Sequence, residues 1–214
     1  MGVIKALDGN AAIAHGVMRS KVQLVAAYPI TPQTPIVETI SSLIDKKEYD
    51  ATYITVESEH SALSAVIGAA STGVRTFTAS ASQGLALIHE VTGVASASRL
   101  PVVMAVVSRA IPGPMCLWCD HSDIMTQRDQ GWIQLFAESP QEGLDFTMIA
   151  YRTSEDERVL TPTMVDIDGF YCSHLTEPVD VPTEDEAERF ISEFRPVNAQ
   201  LNTDMPYAID NLSS

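Results

Sequence analysis

The chain has 214 residues, 45% hydrophobic and 19% charged, with 28 acidic against 13 basic side chains and a formal net charge of −15. That composition excludes a disordered polymer, and the acidic balance argues against nucleic acid, whose phosphates need a basic face. No apolar run reaches the roughly 18 residues of a membrane span, and the start "MGVIKALDGN" lacks the apolar segment of a secretory signal, so no membrane partner is expected and the expected location is cytoplasmic. Residues 9–20 form the first expected helix and "VQLVAA" (22–27) a continuous apolar strand, which runs into "YPITPQTP" (28–35), three prolines in eight residues. This loop is either an ordinary strand-to-helix connection or a stiff one that holds the hydroxyl of Thr31 at a fixed point.

Helical spacing follows over 34–47, with Ile36, Val37, Ile40, Leu43 and Ile44 on one stripe. "TYITV" (52–56) is the next strand, and a helix starts near Ser58 and stops at Gly73. "VRTFTAS" (74–80) is a strand, 82–98 helical, "PVVMAVVS" (101–108) a buried strand, 122–131 a short helix and "WIQLFA" (132–137) a strand. Ser139 and Pro140 fit the cap and first turn of another helix. "TPTMVDID" (161–168) is a strand and 183–194 an acidic helix, after which periodicity is lost over 195–214. The alternation predicts an α/β fold, a parallel sheet covered by helices on both faces, with ligands at the carboxyl ends of the strands. The functional loops should then be 28–35, 57–60, 80–84, 108–123 and 138–140.

Chemistry-bearing residues stand in those loops. Glu57, Glu59 and His60 follow the second strand, "SASQG" the third and Arg109 the fourth. Arg109, one step past a buried strand, suits either a ligand anion or a salt bridge. Glu57 and Glu59 both suit the start of a helix, where an acid complements the dipole. "DHSD" (120–123) offers a weak cation site. Cys116 and Cys119 form a C-x-x-C, but with Cys172 as the third and last cysteine the set falls short of a four-ligand zinc or iron–sulfur site. No metal is expected on this chain. No Walker-type or G-x-G-x-x-G phosphate loop and no nucleophile elbow is present.

Taken in order, "YPITPQTP", "VESEHSALSAVIGAASTGVRTFTASASQGLAL", "SRAIPGP", "DHSDIMTQRDQGW" and "DIDGFYCSH" closely resemble the alpha chain of the 2-oxoacid:ferredoxin oxidoreductases, most of all the pyruvate-specific branch, from about residue 9 to residue 195. The resemblance implies a thiamine diphosphate pyrimidine-binding domain over 1–195 and a tail or linker over 196–214 towards a second alpha-chain domain. It implies reversible oxidative decarboxylation of pyruvate with coenzyme A to acetyl-CoA and CO2, with electrons passed to ferredoxin. Thr31 and Arg109 would bind the substrate, and Glu59 would bind N1′ of the cofactor's aminopyrimidine, with Pro29 and Ile30 beside it. Mg2+ and the diphosphate would be held by a partner beta chain. The [4Fe–4S] clusters would lie in partner chains, a ferredoxin-like subunit and a gamma subunit completing the complex. Cys119 stands where asparagine is expected in many relatives. The alternatives are another 2-oxo acid (2-oxoisovalerate, 2-oxoglutarate or oxalate) and a non-catalytic assembly subunit.

Overall fold

A computed structural model of the chain describes residues 2–191 and 193–197. In chain order the elements are β1 (Val3–Leu7), α1 (Gly9–Arg19), β2 (Leu24–Ala26), α2 (Thr34–Asp45), β3 (Thr52–Ile54), α3 (Glu59–Ala70) and β4 (Thr76–Ser80). There follow α4 (Ser82–Leu87), α5 (His89–Ala97), β5 (Val103–Ser108), α6 (Ser122–Met125) and β6 (Ile133–Ala137), then α7 (Pro140–Ser154), β7 (Thr163–Asp168), β8 (Glu177–Val181) and α8 (Glu184–Ile191). Six strands form one parallel sheet in the order β3-β2-β4-β5-β7-β6.

The central strands explain the arrangement. Every residue of β4 and β5 is buried, as a strand covered on both faces must be. With a side-chain period of two, Val103, Ala105 and Val107 point into the layer of α1, α2 and α7, among Ile13, Ile36, Ile40 and Tyr151. Met104 and Val106 point the other way, among Leu63, Leu85, Ile124 and Trp132. Local signals start the helices: Asp8 and Ser58 accept from the Ala11 and Ser61 amides, and Ser139 accepts from Glu142 ahead of Pro140.

The two-faced parallel sheet agrees with the sequence expectation, and three local features differ from it. The helix expected over 82–98 is broken at Ile88, whose backbone (φ −94, ψ 6) ends α4 and precedes α5. The helix expected over 122–131 is shorter, ending at Met125. A small antiparallel sheet of β1 and β8 was not anticipated. The expected tail over 196–214 lies almost wholly outside the described residues.

Chain order reverses beside β2. It pairs with β3 on one side and β4 on the other, and α2 and α4 leave their strands for opposite layers. The loops after β2 and β4 therefore part, which opens a crevice at the carboxyl end of the sheet.

Candidate active site at the carboxyl ends of the strands

The loop after β2 is pinned from beneath. Gln33, fully buried, donates Nε2 to the Ala79 carbonyl of β4 at 2.9 Å. Asn10 donates Nδ2 to the Pro32 carbonyl at 3.2 Å and to the Ser173 carbonyl at 3.0 Å. Gly169 lets the loop after β7 close in, since a Cβ there would lie 2.2 Å from the Ser108 carbonyl oxygen and 2.9 Å from Pro32 Cγ. Pro29 and Thr31 are left exposed and Ile30 half-buried. The Thr31 hydroxyl has no hydrogen-bond partner among the described residues. Its backbone carbonyl, not its hydroxyl, is what the protein holds.

That carbonyl is held by Arg109. The guanidinium is 4% exposed; Nη1 donates to Thr31 O at 2.6 Å, Nη2 to Gln83 Oε1, and Nε has no partner. Among the described residues no carboxylate forms an ion pair with it. A buried cation answered only by neutral oxygens carries an uncompensated desolvation penalty, which a small bound carboxylate would offset through charge-assisted bonds.

Asp123 fixes this geometry. Fully buried, it accepts from the amides of Arg109 (3.0 Å) and Ser82 (2.8 Å) with Oδ2 and from Ile124 (2.8 Å) with Oδ1. One carboxylate thus ties the loops after β4 and β5 together. Ser82 has φ +47, a left-handed conformation that a non-glycine residue adopts only when its surroundings enforce it. Its Oγ donates to Ala110 O at 2.8 Å, and Gln83 Nε2 donates to Ile111 O at 2.9 Å. The "DHSD" segment is therefore a structural tie, not a cation site: Asp123 is spent on backbone amides and His121 Nδ1 lies 2.9 Å from Asp166 Oδ2. No group of three or more metal-type side chains occurs among the described residues.

The two acids of "ESEH" part company. Glu57 is exposed and accepts from Ser61 Oγ at 2.5 Å, which holds its carboxyl below the usual range. Its acceptor capacity is turned to its own helix. Glu59, the first residue of α3, is half-buried and turns towards α4, where its Oε1 would lie 2.5 Å from a Cβ on Gly84. Consecutive residues Gln83 and Gly84 therefore touch Arg109 and Glu59, and Arg109 touches Thr31. The turn 82–84 gathers the three sequence-predicted residues. Sequence reasoning placed a functional loop here without naming Gln83 or Gly84, and it took Asp123 only for a weak cation ligand; "SQG" just after a buried strand was the available signal.

Neighbouring groups are tuned by burial. Asp166, 1% exposed, is pushed up to about 7 by burial, against the bond from Ser108 Oγ at 2.5 Å and the nearby His121. Burial, with Asp168 beside it, pushes the Cys119 thiol up to about 11, and burial pushes Cys172 up to about 12. Both remain protonated thiols near neutrality. A cavity of about 850 Å³ lies at the other end of the sheet. Two of its lining cations are paired, Lys21 with Glu184 and Glu188 and Arg75 with Glu155.

Residues 15–213 match the family model described as "Pyruvate flavodoxin/ferredoxin oxidoreductase, thiamine diP-bdg". The chain is 46% identical over 213 residues to pyruvate synthase subunit PorA of Pyrococcus furiosus, covering 100% of this chain and 54% of that protein. It is 49% identical over 203 residues to PorA of Methanocaldococcus jannaschii, covering 95% and 52%. Ketoisovalerate oxidoreductase subunit VorA of Pyrococcus furiosus is 44% identical over 210 residues, covering 98% and 53%. The chain thus spans about half the length of the curated relatives it matches. Among solved structures, 2-oxoglutarate:ferredoxin oxidoreductase from Magnetococcus marinus, with 2-oxoglutarate, coenzyme A and succinyl-CoA bound, shares the fold with TM-score 0.75 and 23% identity, over 85% of this chain and 32% of that one.

Proposed function

Because the chain belongs to the pyruvate flavodoxin/ferredoxin oxidoreductase family, through its thiamine diphosphate-binding domain, we propose that it forms the pyrimidine-binding part of a pyruvate synthase-type alpha subunit. The reaction is the reversible oxidative decarboxylation of pyruvate with coenzyme A to acetyl-CoA and CO2, with electrons leaving to ferredoxin. The observation that carries this reading is Arg109, buried, bonded to the Thr31 carbonyl and without a carboxylate partner.

The residues fit the cofactor. Glu59 is half-buried at a helix start with no hydrogen bond of its own among the described residues, as an acid reserved for a ring nitrogen must be. Pro29 and Ile30 supply apolar surface on the facing loop. When bound, thiamine diphosphate supplies the carbon nucleophile and the electron sink for decarboxylation. Glu59 holds and releases a proton at N1′ of the aminopyrimidine. Arg109 takes the substrate carboxylate, and Thr31, its carbonyl fixed by Arg109, presents its free hydroxyl to the same substrate. This preorganisation lowers the entropy lost on binding.

The remaining machinery belongs to partner chains: a beta chain for the diphosphate and its Mg2+, and ferredoxin-like and gamma chains, with the [4Fe–4S] clusters outside this chain. Residues 1–195 make up the pyrimidine-binding domain. The location is cytoplasmic; no helix of the described residues is long and apolar enough to cross a membrane. A branched 2-oxo acid is the second reading, favoured by the 44% identity to VorA.

The test is reconstitution. The chain alone should reduce no dye with pyruvate and coenzyme A, and adding its cognate partner chains should give pyruvate-dependent reduction with pyruvate preferred over 2-oxoisovalerate. Reduction by the lone chain, or a complete complex that ignores 2-oxo acids, would overturn the reading.

A further inference from the structure

We propose that Ser80 and Gly84 form the seat of the Glu59 carboxylate: Gly84 leaves the space into which it fits, and Ser80 supplies a hydroxyl that donates to it once Glu59 gives up its proton. This rests on the reading of Glu59 as the acid for the aminopyrimidine.

Three observations carry the inference. A Cβ on Gly84 would lie 2.5 Å from Glu59 Oε1, 2.8 Å from Glu59 Cδ and 2.7 Å from Ser80 Oγ. Each contact is shorter than carbon tolerates, so the carboxylate and the hydroxyl border one small space that only glycine leaves open. Second, Gly84 stands inside α4, where no left-handed conformation calls for glycine. Alanine is the better helix former there, so the local backbone gives no reason for this residue and the neighbouring side chains do. Third, Ser80 is 1% exposed and its Oγ has no hydrogen-bond partner among the described residues. A buried, unanswered hydroxyl opposes folding. Its neighbour across the space is the group whose charge changes during the reaction.

The proton ledger is simple. As Glu59 releases its proton to N1′, an O–H bond breaks, an N–H bond forms, and the carboxylate gains a negative charge. A hydroxyl donating to that oxygen favours the ionised form and so favours the proton on the ring. Ser80 and Gly84 act through Glu59 and are positioning residues.

The experiment uses the assembled complex loaded with thiamine diphosphate and reads exchange of the cofactor's C2 proton for deuterium, by acid quench and NMR, beside cofactor affinity and thermal stability. Ser80→Ala should slow C2 exchange about tenfold, the scale of one charge-assisted hydrogen bond, while stability holds or rises because an unpaired hydroxyl is gone. Ser80→Thr, which keeps the hydroxyl, should restore exchange to within about threefold of wild type by the same measure. Gly84→Ala should slow exchange about 10²-fold or more, the usual worth of a positioned proton transfer, with a smaller change in cofactor affinity. Wild-type exchange rates in Ser80→Ala would overturn the role of Ser80 even if Gly84→Ala fails to assemble, and wild-type rates in a folded Gly84→Ala would overturn the seat. Unchanged variants beside fast wild-type exchange would sink this inference alone. A wild-type complex that binds no thiamine diphosphate would sink it together with the function it rests on.

Discussion

Two buried arginines sit at opposite ends of the same sheet and differ in what answers their charge. Arg75, 6% exposed and just ahead of β4, donates Nε to Glu155 Oε1 at 2.6 Å, Nη2 to Glu155 Oε2 at 2.8 Å and Nη1 to the Ser20 carbonyl at 3.0 Å. Arg109, 4% exposed and just past β5, meets only the Thr31 carbonyl and the Gln83 side chain. The first is a closed bidentate pair of the kind that holds elements together. The second has no carboxylate partner among the described residues, which is what the proposed capture of a substrate carboxylate requires. Burial alone does not separate a structural arginine from a candidate binding one; the counter-ion is the difference between these two.

The contrast is open to attack from several sides. At the carboxyl end, Glu59→Gln should leave assembly and cofactor binding intact and lower turnover by ~10²–10⁴-fold, because an amide N–H is too weak an acid to transfer its proton to N1′. A variant that keeps more than about a tenth of wild-type turnover, less than the usual effect of a positioned acid, would move the role to Glu57. At the amino end, Arg75→Met should destabilise the fold by about 3–5 kcal/mol by leaving Glu155 charged and alone. The combined change with Glu155→Leu should recover much of that loss in denaturant titrations, with turnover per folded complex unchanged. If Arg75→Met is neutral, the closed pair is no pair at all.

Arg109→Ala should raise KM for the 2-oxo acid by about 10- to 150-fold, the equivalent of losing ~1.5–3 kcal/mol of charge-assisted bonding, and leave KM for coenzyme A nearly as it was. Equal effects on both substrates would show Arg109 to be a fold residue like Arg75. The smallest expected effect concerns Asp166, whose burial lifts its carboxyl to about 7. A carboxyl raised in the folded state favours folding while protonated, and that contribution fades as pH climbs from the ordinary range of about 4 through the folded value. Asp166→Asn, which does not titrate, should therefore melt higher than wild type at pH 8 and lose the advantage near pH 4. A pH-independent difference would mean that Asp166 is not neutral in the native chain.

The parallel sheet was legible because its strands are apolar on both faces and its helices announce themselves through Asp8, Ser58 and Ser139. Strand ends pointed to Thr31, Glu59 and Arg109 as candidates, and the structure brings them round the turn 82–84. What stayed hidden was relational. Asp123 looked like a weak cation ligand because a sequence does not show that three backbone amides already occupy its oxygens. Glu59 was preferred to Glu57 on the resemblance alone; that Glu57 turns to Ser61 and Glu59 to Gly84 is visible only in the structure. The break at Ile88 was masked by the continuous helical pattern around it. Strand β1 escaped notice because "VIKAL" is largely exposed and its pairing partner lies near the far end of the described chain.

That last pairing has a consequence in time. Val3 stands opposite Val181 and Leu7 opposite Glu177, so on the ribosome β1 is complete long before the strand it needs. Closing so long a loop costs entropy that grows with its length, and the pairing adds no strand to the six-stranded sheet. It is therefore the ladder expected to open most readily. Val3 and Ile4 are 57% and 64% exposed even in the finished fold. In the folded protein the same amides should exchange with solvent through local opening, well before those of β4 and β5.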